Sequence, residues 1–206
     1  MQNIHLDFDN VMAERIGEEH GITRAELGGI RERAAKCFQN LVEERSGGLL
    51  PFLDLPYDKH ITARVSEVAN DVRKRGLSDF VVLGIGGSAL GNIALHMALN
   101  GPLYNELPVV RKGCPRIHVI DTIDPDIFNG LLRLINLGKT VFNVISKSGT
   151  TVETMAQFLI VRDLLRKKLG NGYGKNLIAT TDPVDGALRR IAGEDNYTTL
   201  DIPEGV

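Results

Sequence analysis

The residues best suited to chemistry lie together at positions 146 to 151, directly after an apolar run. Thr150 and Glu153 have the spacing of a capping box, which predicts a capped helix start there. Capping does not account for the neighbouring hydroxyl and basic side chains, Ser146, Lys147, Ser148 and Thr151. A helix dipole disfavours a lysine at this end by roughly 0.3–1 kcal/mol, and a bound dianionic phosphate would reverse that sign. We therefore predict a phosphate-binding loop.

A second candidate loop, Gly84–Gly91, follows another apolar run and begins a helix. Its glycines allow the backbone to approach a ligand, and Ser88 can serve as helix cap and as hydroxyl donor. A tight turn with no ligand is the alternative. The spacing of Gly84, Gly86 and Ala89 also fits a relaxed dinucleotide fingerprint, which expects an acidic residue about 20 residues further on. Asp121 lies well beyond that spacing, so a nicotinamide enzyme is the less supported alternative.

The elements that must position these loops are short, almost continuous apolar runs, each followed by a turn and a helical pattern. Such runs are typical of strands buried on both faces of a parallel sheet. Ligands of these sheets bind beyond the carboxyl ends of the strands. The sequence predicts an α/β fold with a doubly wound, five-stranded parallel sheet flanked by helices. Its strands are Phe80–Leu83, Ile117–Ile120, Val141–Ile145, Leu177–Ala179 and, as the fifth, Tyr197–Ile202.

The first 76 residues are predicted to be helical. Thr23 and Glu26 have capping-box spacing at the start of one helix, which Ser46-Gly47-Gly48 ends. A second amphipathic helix ends near Gly76. We expect this segment, 1–76, to pack on an α/β domain formed by residues 77–206.

Composition restricts the class of protein. The 206 residues are 43% hydrophobic and 24% charged, with a net charge of -2, which gives no reason to expect nucleic acid as a partner. No apolar segment has the length of a membrane span, and the N-terminus does not resemble a signal peptide. Cys37 and Cys114 are expected to be reduced, mostly buried thiols of a cytoplasmic protein. The histidines lack metal-site spacing, so we assign no metal and no cofactor.

The two loops, together with Asp121–Pro125 between them, resemble the N-terminal half of the glucose-6-phosphate isomerase family, of the bacterial type. The resemblance covers essentially the whole chain and implies a sugar-isomerase (SIS) domain. It implies a hexose phosphate as ligand and, as a hypothesis, a homodimer. Activity in this family belongs to glycolysis and gluconeogenesis and proceeds without metal or redox cofactor. The phosphate-binding residues implied are Gly87, Ser88, Ser146, Lys147, Ser148 and Thr151.

Within that set, the resemblance implies that Ser146, Ser148 and Thr151 bond the phosphate, with Ser88 acting less directly. Lys147 would contribute its backbone N–H and its charge. Glu153 matches an acidic residue near the family's active site, although a capping role would also explain it.

Family members are about twice as long as this chain. The resemblance implies that four catalytic groups lie in the part that has no counterpart here: a glutamate base, an arginine, and the ring-opening histidine and lysine. The resemblance therefore implies a phosphate-binding half-site, from a fragment or a truncated gene product, that is inactive alone. Two alternatives stay open: a single-SIS regulatory module that senses a sugar phosphate, and a different small sugar-phosphate isomerase that works as an oligomer.

Overall fold

A computed structural model describes residues 5–206 of the chain. The chain forms two compact units that adjoin in sequence at Asp54 and Leu55. The boundary between the units falls ahead of the second long helix. Packing of the N-terminal segment on the α/β unit stays a prediction.

In the described part of the N-terminal unit, residues 5–54, the chain forms helices α1 (Ala13–Ile16), α2 (Arg24–Gly29) and α3 (Arg31–Ser46), with 3-10 turns at Asp9–Val11 and Pro51–Leu53. The capping box at Thr23 is confirmed: Thr23 Oγ1 accepts from Glu26 N at 3.2 Å, and Thr23 N donates to Glu26 Oε2 at 2.9 Å. The single helix predicted from here to Ser46 is wrong, because it is divided at Ile30. Two consecutive glycines, Gly28 and Gly29, precede the break and weaken the helix there.

The α/β unit contains the five strands that the structure describes. They are β1 (Asp79–Leu83), β2 (Arg116–Ile120), β3 (Thr140–Ser146), β4 (Leu177–Thr181) and β5 (Thr198–Asp201). The strands are all parallel, in the order β2-β1-β3-β4-β5. The predicted fold class, including the fifth strand, is confirmed.

Helices join consecutive strands and cover the two faces of this sheet. They are α4 (Lys59–Lys74), α5 (Gly87–Asn100), α6 (Pro108–Arg111), α7 (Pro125–Leu134), α8 (Val152–Leu169) and α9 (Ala187–Glu194). Further 3-10 turns lie at Leu55–Tyr57, Leu137–Lys139 and Gly170–Asn176. The sheet is therefore doubly wound.

Alternate residues of the strands enter two separate clusters of buried side chains. On one face, Leu83 and Phe142 pack with Phe158 of α8 and Leu188 of α9. On the other face, strand residues pack with one stripe of α4: Val141, Ile178, Val68 and Val72. This period of two along the strands explains why the runs appear almost continuously apolar in the sequence.

A buried carboxylate occupies the amino end of the sheet, away from the candidate loops. Asp79, which is 0% exposed, accepts from Arg116 Nε at 2.8 Å and from Ser78 Oγ at 2.8 Å. Its Oδ1 also lies 3.0 Å from His118 Nε2. Burial acts to raise the pKa of Asp79, but the hydrogen bonds from Arg116, His118 and Ser78 outweigh it, and the pKa is lowered overall.

Candidate functional site

The strand order reverses direction between β1 and β3, which are neighbours at the middle of the sheet. The chain leaves β1 towards β2 on one side and leaves β3 towards β4 on the other, so their loops diverge. Such a reversal opens a crevice beyond the carboxyl ends of the two strands, where ligands of open α/β sheets bind. The two loops singled out in the sequence are the loops after β1 and β3.

Glycine is required in the loop after β1 by close contacts and by backbone conformation. A Cβ on Gly84 would lie 2.9 Å from Ser88 Cβ and 3.3 Å from Ile145 O of β3. Gly86 has φ +56° and ψ −119° and is the N-cap of α5. The predicted capping role of Ser88 is therefore wrong, since Ser88 is the second residue of the helix. Gly87 is exposed and Ser88 is half-buried.

The loop after β3 places two hydroxyl groups in contact beneath its surface. Ser146, the last residue of β3, is 1% exposed, and its Oγ lies 3.0 Å from Thr151 Oγ1. Ser148 is exposed, and its Oγ accepts from Thr150 Oγ1 at 3.0 Å and from Thr150 N at 3.3 Å. Lys147 is exposed as well. The four predicted residues of this loop thus lie together at one strand end.

The capping box predicted for Thr150 and Glu153 does not form. Helix α8 begins at Val152 with Thr151 as its N-cap, and Thr151 makes no side-chain capping hydrogen bond. Its neighbour Thr150 bonds Ser148 instead. The first N–H groups of a helix have no acceptor within the helix, and they attract anions. The corrected cap thus removes the rival explanation for Thr150 and leaves the start of α8 suited to an anion.

Two side chains on the first turns of α8 are buried with an unpaired polar atom. These atoms are Thr154 Oγ1 and Gln157 Oε1. Gln157 also donates from Nε2 to Thr122 O, which ties α8 to the loop after β2. Glu153, which precedes Thr154 in α8, is half-buried. The sequence had given no reason to single out Thr154 or Gln157.

The loop after β2 holds the acid considered for ribose binding. Asp121 follows β2 directly and is exposed. Its neighbour Asp124 caps α7, accepting from Asp126 N at 2.9 Å and Ile127 N at 3.0 Å. Of the two aspartates in this segment, Asp124 therefore has a structural role as the N-cap of α7.

A third loop, between β4 and the first turn of α9, contacts the hydroxyl-rich loop through its backbone. Asp182 N donates to Lys147 O at 3.1 Å, and Leu188 N donates to Gly149 O at 3.1 Å. A Cβ on Gly186 would lie 2.5 Å from Ser148 O. Sequence reasoning missed this loop, although Asp-Pro-Val-Asp-Gly is a recognisable turn composition.

The carboxylate of Asp182 orders the same third loop. Its Oδ1 accepts from Val184 N and from Asp185 N, each at 2.8 Å. The hydrogen bonds from the N–H groups of Asp185 and Val184 lower the pKa of Asp182. The loop is therefore held in one shape by its own first residue.

Within residues 5–206, no group of three or more His, Cys, Asp or Glu side chains could hold a metal ion. Both cysteines are free, but Cys37 is exposed and Cys114 is half-buried, so the expectation of mostly buried thiols is wrong for Cys37. None of the helices described in this part of the chain is both long and apolar enough to cross a bilayer.

Comparison with known proteins assigns this arrangement to a family. The family model described as phosphoglucose isomerase matches residues 60–189, which include both predicted loops and the third one. The chain belongs to the phosphoglucose isomerase family. The match begins in α4 and ends in α9, so it covers most of the α/β unit.

Curated relatives carry the same name over a longer chain. The chain is 43% identical over 209 residues to the glucose-6-phosphate isomerase of Carboxydothermus hydrogenoformans, covering 98% of this chain and 44% of the relative. It is 40% identical over 207 residues to that of Rubrobacter xylanophilus, covering 100% of this chain and 46% of the relative. The chain thus spans less than half the length of these relatives and corresponds to roughly their N-terminal half.

Solved structures give the same picture. A crystal structure of a hypothetical protein from Thermus thermophilus superimposes with a TM-score of 0.70 at 32% identity, covering 89% of this chain and 41% of that one. A glucose-6-phosphate isomerase from Chlamydia trachomatis gives a TM-score of 0.55 at 27% identity, covering 70% and 26%. The α/β unit therefore has the fold found in this family.

Proposed function

We propose that this chain is the phosphate-binding half of a glucose-6-phosphate isomerase, which interconverts glucose 6-phosphate and fructose 6-phosphate. The observation that carries the proposal is the hydroxyl-rich loop at the end of β3, with an uncapped helix start beside it at the reversal of strand order. The longer relatives that bear this name support the substrate class.

In the proposed complex, the phosphate lies between the loops after β1 and β3. The exposed hydroxyl of Ser148 and that of Thr151 donate to its oxygens, and the N–H groups at the start of α8 oppose its charge. Lys147 adds a positive charge at the rim. Gly87 and Ser88 form the opposite wall, where the missing Cβ of Gly87 leaves the backbone open to the ligand.

Isomerisation through a cis-enediol(ate) requires a general base at the reacting carbons and no metal or redox cofactor. The residues proposed here bind the far end of the substrate instead. Binding energy from a remote phosphate can orient the reacting carbons, because interactions away from the chemistry reduce the entropic cost of alignment. We therefore propose that this chain positions the sugar phosphate without turning it over alone, with Glu153 closest to the reacting end.

The same proposal places this activity in the cytoplasm. A phosphorylated sugar is a cytoplasmic metabolite, and the two free cysteines agree with a reducing compartment. A homodimer stays a hypothesis.

Calorimetric titration of the chain with fructose 6-phosphate tests the proposal. Ser148→Ala removes an exposed hydroxyl that the fold uses only as an acceptor for Thr150. Losing a hydrogen bond to a charged ligand costs about 1.5–3 kcal/mol, so we expect affinity to fall about 10- to 150-fold. Thr151→Ala should weaken binding similarly.

The matched control is Ser66→Ala, which removes an exposed serine hydroxyl from α4 and should leave affinity unchanged. Equal affinity of the wild type and Ser148→Ala would contradict the proposed role of the loop. Binding of NAD in preference to the hexose phosphates would instead favour the dinucleotide alternative for the loop after β1.

A further inference from the structure

The loop between β4 and α9 carries no group assigned to the ligand, yet it makes close contacts with the hydroxyl-rich loop. Asp182 N and Leu188 N donate to the carbonyls of Lys147 and Gly149, both at 3.1 Å. These two carbonyls flank Ser148. Both carbonyls are therefore occupied by N–H groups of the third loop.

Van der Waals contact reinforces these hydrogen bonds. A Cβ on Gly186 would lie 2.5 Å from Ser148 O, and a Cβ on Gly149 would lie 3.3 Å from Gly186 Cα. A Cβ at position 186 would prevent this approach of the two backbones, and one at position 149 would crowd it. Gly186 also has φ +99°, which side chains with a Cβ rarely adopt.

The side chain of Arg189 binds the backbone at the start of the third loop. Its Nε donates to Asp182 O at 2.7 Å, and its Nη2 donates to Thr181 O at 3.4 Å. The same Nη2 pairs with the carboxylate of Asp201 on β5. The side chain of Arg189 is only 17% exposed, and its bonds to the two carbonyls are partly buried, whereas Asp201 is 62% exposed. One guanidinium thus connects the edge strand to the carbonyls on each side of the β4 end.

We propose that Arg189 is a positioning residue for phosphate binding, acting through the Asp182–Leu188 segment on the shape of the Lys147–Thr151 loop. This inference rests on the proposed function, since the bound group is the substrate's phosphate. A carbonyl oxygen that turned towards a phosphate would repel it, so hydrogen bonds that fix two carbonyls of the loop to a neighbouring segment favour the anion. Arg189 itself does not contact the phosphate.

The test compares Arg189→Ala with Arg190→Ala, which removes the same charge from the next, exposed position of α9. Two measurements are made on each variant: calorimetric affinity for fructose 6-phosphate, and amide hydrogen exchange in a peptide covering residues 147–151 without ligand. We expect Arg189→Ala to weaken affinity and to accelerate loop exchange, each by about tenfold or more. Arg190→Ala should match the wild type in both, and Arg189→Lys should recover part of the loss.

A second pair of variants tests the third loop without changing Arg189, in case Arg189→Ala does not fold. Gly186→Ala forces a Cβ against Ser148 O, whereas Gly193→Ala places one in open space on α9. Gly186→Ala should weaken affinity and accelerate loop exchange, and Gly193→Ala should do neither. Circular dichroism at the measuring temperature shows that each variant is folded.

The two readouts separate the proposal from the function on which it rests. If wild type binds fructose 6-phosphate and Ser148→Ala weakens binding but Arg189→Ala does not, the positioning role of Arg189 is overturned and the proposed function stands. If wild type does not bind the sugar phosphate, the proposed function fails in this chain. Loop exchange then still decides: equal rates in Arg189→Ala and Arg190→Ala overturn the positioning role.

Discussion

In the proposed phosphate site, Ser146 and Thr151 are joined by one part-buried hydrogen bond. Each hydroxyl has one proton, and the 3.0 Å contact between their oxygens consumes only one of the two. The remaining O–H is free to donate to a phosphate oxygen. A single hydroxyl has only one proton, so it could donate either to a group of the protein or to the ligand, but not to both.

Asp79 illustrates the opposite case at the amino end of the sheet, where a charge serves the fold. Its lowered pKa means that it stabilises the folded chain above the unfolded-state pKa, near 3.9, and that this contribution is lost as pH falls through the lower folded-state value. Asp79→Asn leaves Arg116 and His118 without their carboxylate. We expect a loss of about 3 kcal/mol in unfolding free energy at pH 7.

The measurement for Asp79→Asn is urea unfolding at pH 7 and at pH 2.5, with Asp163→Asn as control. Asp163 pairs with Lys167 at the surface, where its side chain is 60% exposed, and the change should cost less than about 0.5 kcal/mol. The gap between wild type and Asp79→Asn should be narrower at pH 2.5. If the difference in unfolding free energy between wild type and Asp79→Asn were larger at pH 2.5 than at pH 7, the Asp79 carboxylate would not be its source.

At the scale of elements, helix starts give a direct comparison of sequence pattern with structure. Thr23 and Asp58 are true N-caps: Asp58 Oδ1 accepts from His60 N at 2.8 Å and Ile61 N at 3.1 Å. Thr150 has the same pattern but stands one residue ahead of the N-cap. Thr150 N donates to Ser148 Oγ and not to the Glu153 carboxylate, so a local hydrogen bond replaces one half of the capping box.

This difference predicts unequal costs for three similar truncations. Asp58→Ala and Thr23→Ala should each lower the free energy of unfolding by about 1 kcal/mol through the lost cap. Thr150→Ala should change it by less than about 0.5 kcal/mol, because it removes only an exposed bond. Urea denaturation of the three variants gives the comparison. A cost for Thr150→Ala equal to that of Asp58→Ala would return the cap to Thr150.

The strands and the places of the two candidate loops could be predicted because their signals are local: apolar runs of strand length and small or polar residues after them. The break at Ile30 has a signal in Gly28 and Gly29, but the apolar spacing that continues past them favoured one helix. The contribution of the third loop could not be predicted. Its contacts with Lys147 and Gly149 join residues that are distant in sequence, and backbone donors leave no trace in residue type.

At the scale of the whole molecule, α5 is unusual because it carries no charged residue over Gly87–Asn100. Its Leu90, Leu95 and Leu99 are 62%, 65% and 78% exposed. Exposed leucines at several positions of one helix are typical of a surface that another polypeptide covers. The Carboxydothermus relative has more than half of its length outside the matched part, and we expect that polypeptide to cover α5 there.

If nothing covers these α5 leucines, which we call the α5 face, the 206-residue chain should self-associate. Leu95→Glu should therefore lower the apparent mass in light scattering at raised protein concentration and leave the melting temperature almost unchanged. Leu134→Glu, at an exposed position on α7, is the matched control and should have a smaller effect. If both substitutions acted equally, general charge and not the α5 face would explain the result.

The proposed role of Arg189 implies an order of events during synthesis. Ser146 to Thr151 emerge from the ribosome well before Leu188 and Asp201, so a growing chain displays every hydroxyl of the site while its loop is still unrestrained. Pairing of β3 with β4 and of β4 with β5 must follow, and such crossovers are slower to form than local contacts. We expect a nascent chain to carry the chemical groups of the site early and to acquire affinity for phosphate only when β5 is in place.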